Sequence, residues 1–216
     1  MKIIFLRHGL TESNKDFRFS TPQTRISKNA YIDLDKSKKN LEKYKIDRVY
    51  TSKLIRSQET AKYLGFDEFI EDERINELDF GDFKGQKVFD TREKYKDFYD
   101  KLKKNPYSTK YPNGESVEDL IRRINDFMEE KSSFDGNILC ISHGIAIRAS
   151  LFTVLKDLGN FKNFWIDNGS LTVFDISRDK KMIECVNLIW NLFIFLIFIY
   201  QISLILTRLI VSLLEK

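Results

Sequence analysis

The chain has 216 residues and a formal net charge of +4, from 36 basic and 32 acidic residues, with two histidines and two cysteines. A chain of this length suits one domain with a substantial core, and so small a charge surplus argues against nucleic-acid binding. The sequence has no cluster with metal-ligand spacing, so it predicts no metal site. Cys140 and Cys185 lie far apart in apolar runs and are expected to be buried, reduced thiols of a cytoplasmic protein.

Strand and helix patterns alternate along the chain. Short apolar runs predict strands at residues 2–6, 48–51, 69–70, 137–141, 171–176 and 182–188. Helix patterns fall between them, at residues 37–45, 52–64, 92–104, 116–130 and 145–155. Ser52 and Ser116 stand where they would cap two of these helices. The alternation predicts an α/β protein with a mostly parallel sheet.

Two of the apolar runs end in the same way. IIFLRHG closes on Arg7-His8-Gly9, and ILCISHG closes on His143-Gly144. Ligands of such sheets bind at the carboxyl ends of the strands, so both histidines are expected at one site. An imidazole can carry a phosphoryl group, an arginine donates two parallel hydrogen bonds to phosphate, and glycine lets the backbone approach an anion. A single histidine at a strand end is more often structural, so the hypothesis depends on the combination.

Further polar motifs follow in chain order. RHGLTESN places Thr11 and Asn14 close to Arg7, so a loop can surround an anion with donors. TSKLIRSQETA places Arg56 in the first turn of a helix, whose amino end favours anions. ERINELDFGDFKG supplies the carboxyl group of Glu77 as a candidate proton donor, and YPNGES then precedes a capped helix.

The order RHGxTxxN, TSxLxRSxETA, ExDFGxFxG, PxGES and SHG resembles the histidine phosphatase superfamily, which includes the cofactor-dependent phosphoglycerate mutases. The resemblance covers residues 1–188. It implies a three-layer α/β/α sandwich with a mostly parallel mixed sheet. It also implies a small phosphate ester as substrate, a phosphohistidine intermediate, and no metal or other cofactor.

Carried onto this sequence, the resemblance implies that His8 is the nucleophile. Glu77 is expected to protonate the leaving group and then to activate the water that hydrolyses the phosphohistidine. The phosphoryl oxygens are expected to be held by Arg7, Arg56 and His143. Further phosphate contacts are expected from Asn14, Thr11 and Gly144. Thr11 fits a role in shaping the loop equally well.

The sequence leaves the substrate open. The residues after Glu77, the compact size and the segment FWIDNGSLTVFDI are most similar to α-ribazole phosphatases, which implies α-ribazole 5′-phosphate of cobalamin biosynthesis as a substrate. The alternatives are a phosphoglycerate mutase, a sugar or nucleotide phosphatase, and a non-enzymatic phospho-ligand binding protein at a membrane. Residues 21–40 depart from the usual family pattern, and they fall where the family commonly borders its substrate pocket.

The end of the chain has a different composition. No charged residue occurs from Cys185 to Thr207, and 16 of the 19 residues in 188–206 are apolar. As a helix, this run is about 28 Å long, close to the thickness of the hydrocarbon core of a bilayer. We predict a catalytic domain over residues 1–187 and a transmembrane helix over residues 188–207. The basic residues before the run favour a cytoplasmic domain, and the alternative is an apolar helix packed on the domain or in a dimer.

Overall fold

The computed structural model describes residues 1–157, 159, 161–177 and 180–189. Its strands are β1 (Lys2–Arg7), β2 (Arg48–Thr51), β3 (Ile70–Glu71), β4 (Ile138–Ser142), β5 (Leu171–Ser177) and β6 (Lys180–Leu188). They form one sheet in the order β3-β2-β4-β1-β5-β6. The pairs β3–β2, β2–β4 and β4–β1 are parallel, whereas β5 runs antiparallel to both β1 and β6. The predicted mixed, mostly parallel sheet is therefore confirmed.

The helices are α1 (Glu12–Lys15), α2 (Ala30–Leu41), α3 (Ile55–Tyr63), α4 (Val88–Lys94), α5 (Lys96–Lys104), α6 (Val117–Lys131) and α7 (Gly144–Leu155). The single helix predicted over residues 92–104 is two helices, because the chain breaks at Tyr95. The ring of Tyr95 packs on Phe83, with 4.5 Å between the ring centroids, so the break places a half-buried aromatic side chain against the core.

The sheet has helices on both faces. Successive side chains of a strand point to opposite faces, and β1 follows this rule with four fully buried residues. Ile3 and Phe5 join the apolar cluster that contains residues of α6 and α7, whereas Ile4 and Leu6 join the cluster that contains residues of α2 and α3. The arrangement is a three-layer α/β/α sandwich.

The two predicted serine caps have different outcomes. The Ser116 hydroxyl accepts from the backbone N–H of Asp119 at 3.2 Å, and the Asp119 carboxylate accepts from the backbone N–H of Ser116 at 3.1 Å, so this capping box is confirmed. Ser52 does not cap α3, which begins at Ile55 after an extended residue without a side-chain cap. The Ser52 hydroxyl instead contacts other side chains in the core, described below.

The first residue of the predicted transmembrane helix is also corrected. Leu188, the first residue of the predicted transmembrane helix, ends β6 and pairs with Leu171 of β5. Apolar strand and membrane-helix residues have the same composition, so hydropathy alone does not separate them. Residues 190–207 of that prediction lie outside the described residues. Within the part of the chain that the structure describes, no helix is long and apolar enough to cross a membrane.

Candidate active site

The parallel pairing of β1 with β4 brings the two histidines together. Arg7, the last residue of β1, is opposite Ser142, the last residue of β4. The backbone N–H of His8 continues the ladder by donating to the Ser142 carbonyl at 2.9 Å. The imidazoles of His8 and His143 follow directly, with ring centroids 5.0 Å apart. The two histidines therefore lie together at the carboxyl edge of the sheet, where ligands of such sheets bind.

The hydrogen bonds of His8 show which of its two ring nitrogens carries the proton. Nδ1 lies 2.8 Å from the carbonyl oxygen of Gly9, so Nδ1 carries the proton and donates. Nε2 then has the lone pair, and it accepts from Nε of Arg56 at 3.2 Å. Asn168 donates to the His8 carbonyl at 3.0 Å and fixes the backbone there. The imidazole is 3% exposed, so Nε2 is a fixed, neutral, buried base next to a cation.

Two arginines place positive charge beside His8. Arg56, in the first turn of α3, is buried and also donates to the Thr21 carbonyl at 3.0 Å. Arg7 donates to the Ile166 carbonyl at 2.6 Å, and its Nε is buried without a partner among the described residues. Burial lowers the pKa of Arg56 to about 10, which leaves it charged at neutral pH. The two guanidinium groups can neutralise most of the charge of a phosphoryl group.

A pair of serines orients His143. Nε2 of this fully buried ring lies 2.8 Å from the Ser52 hydroxyl and 3.3 Å from the Ser57 hydroxyl, and the two hydroxyls are 2.9 Å apart. A hydroxyl that donates to Nε2 places the histidine proton on Nδ1. Nδ1 is buried and has no partner among the described residues, so it can donate to an anion. Sequence reasoning missed this role of the serines, although both lie in the TSKLIRS motif.

Glu77 is held at the amino end of α7. Its carboxylate accepts from the backbone N–H groups of Leu78, Ile145 and Ala146 at 2.9, 3.3 and 3.2 Å. Its own carbonyl accepts from Arg123 at 3.0 Å, so both ends of the residue are fixed. Glu77 lines the cleft that contains His8, as the sequence motif predicts.

The neighbouring acids of the same motif have other partners. Glu73 pairs with Lys53 at 2.8 Å, and Asp79 pairs with Lys84 at 2.6 Å. Asp82 accepts from the Asn113 amide at 3.0 and 3.1 Å. Glu77 is accordingly the acid best placed for proton transfer.

The three residues predicted as further phosphate contacts differ in position. Asn14 lines the cleft, and its amide oxygen accepts from the Thr11 hydroxyl at 2.9 Å and from Asn168 at 3.3 Å. Its amide nitrogen is the group left for a ligand. Thr11 is fully buried and forms a capping box with Asn14 at α1, which favours a role in shaping the loop. Gly144 packs on Arg7, where a Cβ atom would lie 3.4 Å from the guanidinium carbon.

The cleft has a volume of about 250 Å³ and carries more positive charge than the sequence motifs predict. Its cationic residues are Arg7, Arg18, Arg56 and Arg148. Glu77 is the only acidic residue among the described residues that line it. Arg148 has no motif of its own and is recognised here only from its position on α7.

Both histidines are kept neutral by the structure. Burial, reinforced by the charges of Arg56 and Arg7, holds the pKa of His8 well below its usual value. Burial, reinforced by Arg56 and by His8, lowers the pKa of His143 in the same way. A neutral imidazole retains the lone pair that a nucleophile needs, so His8 is competent to attack at neutral pH.

These lowered pKa values predict a loss of stability in mild acid. Below about pH 6.5 the unfolded chain takes up protons at its two histidines, whereas the folded chain does not. The free energy of unfolding should therefore fall as the pH decreases through 6.5, by up to about 1.4 kcal/mol per pH unit for each histidine. Urea unfolding between pH 7 and pH 5.5 measures this slope. The double variant His8→Asn, His143→Asn should lose the slope, and an unchanged slope in that variant would contradict the assignment.

Comparison with known proteins gives the family. The profile of the histidine phosphatase superfamily (branch 1) matches residues 3–189. Phosphoserine phosphatase 1 of Hydrogenobacter thermophilus is 27% identical over 199 residues, which cover 89% of this chain and 94% of that protein. A 2,3-bisphosphoglycerate-dependent phosphoglycerate mutase of Bartonella bacilliformis is 27% identical over 171 residues, which cover 73% of this chain and 82% of that protein.

A solved structure agrees in fold. The α-ribazole phosphatase of Shigella flexneri superposes with a TM-score of 0.78 at 22% identity, over 87% of this chain and 96% of that chain. Identity at this level supports the fold alone. The profile match, together with the order of the motifs around His8 and Glu77, shows that the chain belongs to the histidine phosphatase superfamily, branch 1.

Proposed function

We propose that this phosphoric monoester hydrolase acts through a phosphohistidine formed on Nε2 of His8. The observation that carries the proposal is the fixed orientation of that ring. Nδ1 is tied to the Gly9 carbonyl, so the lone pair of Nε2 lies beside the Arg56 guanidinium. Cations beside the nucleophile neutralise the negative charge of a bound phosphoryl group, so the nucleophile can attack its phosphorus atom.

In the first step, Nε2 of His8 attacks phosphorus, the N–P bond forms, and the bond from phosphorus to the ester oxygen breaks. The carboxyl group of Glu77 gives its proton to the departing oxygen. Negative charge on the phosphoryl oxygens is stabilised by Arg7, Arg56 and Nδ1–H of His143. These donors are fixed before the substrate arrives, so little reorganisation is needed in the transition state.

In the second step, water replaces the leaving group. The Glu77 carboxylate accepts a proton from the water as its oxygen attacks phosphorus, and the N–P bond breaks. Inorganic phosphate leaves, and His8 and Glu77 return to their starting protonation states. Asn14 contributes a hydrogen bond to a phosphoryl oxygen through its amide nitrogen.

The substrate is a small phosphate ester. The similarity to a phosphoserine phosphatase over most of both chains favours hydrolysis of a phosphorylated small molecule. The similarity to a phosphoglycerate mutase supports phosphoryl transfer between two hydroxyls of one substrate as a second candidate. Hydrolysis of α-ribazole 5′-phosphate stays a prediction, with support from a likeness of fold. A panel with α-ribazole 5′-phosphate, phosphoserine, both phosphoglycerates, sugar phosphates and nucleotides separates these candidates.

Replacing the nucleophile tests the proposal. His8→Ala should lower the rate of p-nitrophenyl phosphate hydrolysis by at least about 1,000-fold, because the variant lacks the nitrogen that forms the covalent intermediate. Arg122→Gln, on the exposed side of α6, serves as the control and should retain full activity. Hydrolysis by His8→Ala at a rate near that of the control would rule out the mechanism. Phosphate-ester binding by an unmodified protein without any turnover would support a binding protein instead.

We further propose that the apolar run after Leu188, residues 189–207, anchors the domain of residues 1–188 at the cytoplasmic face of a membrane. The support is the sequence, in which no charge occurs from Cys185 to Thr207. The β6 strand carries the chain to Leu188, so an anchor would continue directly from the edge of the sheet.

Fractionation of cells that express the full chain tests the anchor. The protein should sediment with membranes, resist extraction by high salt, and dissolve in detergent. The double variant Ile197→Arg, Phe198→Arg should shift to the supernatant, because each arginine near the centre of a span costs about 2.5–3.5 kcal/mol. Recovery of the unmodified chain in the supernatant without detergent would exclude the anchor.

A further inference from the structure

The three most exposed large apolar side chains of the described residues lie beside the cleft that contains His8. Phe17 and Phe89 are 69% exposed, and Trp165 is 70% exposed. Each directly adjoins, in the chain, one residue that lines the cleft: Arg18, Val88 or Ile166. Single exposed apolar residues are common on soluble proteins, but three beside one cleft indicate an interaction surface. We call Phe17, Phe89 and Trp165 the aromatic rim.

The backbone of Phe17 supports a role in such a surface. Its φ of 51° lies in the left-handed region, which a bulky residue rarely adopts. The Phe17 carbonyl accepts from the backbone N–H of Val88 at 2.9 Å, so the start of α4 holds Phe17 next to Phe89. An exposed apolar ring on a strained backbone is unfavourable for two reasons, and contact with an apolar partner would offset part of this cost.

The chain leaves β6 at the same edge of the sheet as the cleft. β6 runs parallel to β1, because β5 is antiparallel to both strands. Leu188 pairs with Leu171, and Leu171 pairs with Leu6, two residues before the nucleophile. Neighbouring strands lie about 4.8 Å apart, which places Leu188 about 10 Å from Leu6 across the sheet. The apolar run of residues 189–207 therefore begins on the cleft side of the domain.

A hydrogen-bonded carboxylate joins Trp165 to the end of β6. The indole N–H of Trp165 donates to one carboxylate oxygen of Asp167 at 2.6 Å, and the Asn187 amide donates to the other at 2.9 Å. The amide oxygen of Asn187 accepts from the backbone N–H of Asp167 at 2.6 Å. The indole is thus fixed beside the start of the apolar run. An exposed tryptophan in this position is typical of membrane–water interfaces.

These positions lead to an orientation of the domain on a membrane. An anchor that begins at the carboxyl edge of the sheet holds the cleft side of the domain next to the bilayer. We propose that the aromatic rim docks in the headgroup region of the lipids, with the mouth of the cleft at the membrane surface. This inference rests on the proposed anchor and adds the direction in which the active site faces. The enzyme then takes phosphate esters that are present at the membrane surface.

Tryptophan fluorescence in vesicles tests this orientation. The sequence has two tryptophans, so Trp190→Phe leaves Trp165 as the only one. The full chain is reconstituted in phosphatidylcholine–phosphatidylglycerol vesicles, with or without bromine near the headgroup end of one acyl chain. Bromine quenches an indole only at close approach, so Trp165 emission should fall by about half or more if the ring lies in the interface. Bromine in both leaflets makes the result independent of the direction of insertion.

The other two residues of the aromatic rim are tested in the same way. Phe17→Trp and Phe89→Trp are made separately in a chain that also carries Trp165→Phe and Trp190→Phe. Each single indole should be quenched by the brominated lipid as Trp165 is. Hydrolysis of p-nitrophenyl phosphate by each variant shows that it is folded.

Met182→Trp in the same tryptophan-free chain is the matched control. Met182 is also an exposed apolar residue, with 43% exposure, but it lies at the opposite edge of the sheet. It pairs with Asp175 of β5, which pairs with Lys2 at the start of β1. The emission of this variant should be the same in brominated and plain vesicles.

The contrary results separate the docking surface from the anchor. Protein that floats with the vesicles but is not quenched at the aromatic rim keeps the anchor and overturns the docking. Equal quenching of the Met182→Trp variant also overturns it, because no face is then preferred. Rim indoles that resist both bromine and a water-soluble quencher are covered by protein, either the apolar run or a second copy, which again overturns the docking. Protein that does not float overturns the anchor and the docking together.

Discussion

The parallel pairing of β1 with β4 is the constraint on which the site depends. It sets Arg7 opposite Ser142, and each strand is followed at once by a histidine. The His8 N–H extends the ladder beyond the last paired residues, so the nucleophile is held by the sheet itself. Helix α7 begins directly after His143, and its first N–H groups hold Glu77. A shift of one residue in this register would reverse the faces of β1 and separate the two imidazoles.

Burial of several cationic groups in one cleft explains both the chemistry and its cost. Arg56 is 2% exposed, and among the described residues its side chain donates to His8 and to the Thr21 carbonyl but to no carboxylate. Desolvated cations destabilise a folded protein, and they also bind an anion more strongly than exposed cations do. The same surroundings keep His8 neutral, so the attacking nitrogen retains its lone pair. The buried cations therefore lower the stability of the fold at the same position where they would bind a phosphoryl group.

Much of this arrangement follows from the sequence, because the motifs are local. The two His-Gly strand ends, the placement of Arg56 in the first turn of α3, and the choice of Glu77 all depend on short segments with distinct patterns. The role of Ser57 could not be obtained in this way. It comes from a contact between distant segments, the 3.3 Å approach of Ser57 to His143, 86 residues away. Leu188 is predicted both as the end of a strand and as the first residue of the transmembrane helix, and its pairing with Leu171 confirms the strand.

The central claim is that phosphorylation occurs on Nε2 of His8, and the position of the phosphoryl group on the ring tests it most directly. The protein is mixed with a phosphoryl donor, quenched in alkaline denaturant, and examined by peptide mapping and ³¹P NMR against the two isomers of phosphohistidine. Because Nδ1 donates to the Gly9 carbonyl, we expect the Nε2 isomer at His8 and no label at His143. The Nδ1 isomer, a label on another residue, or turnover without any phosphohistidine would contradict the account.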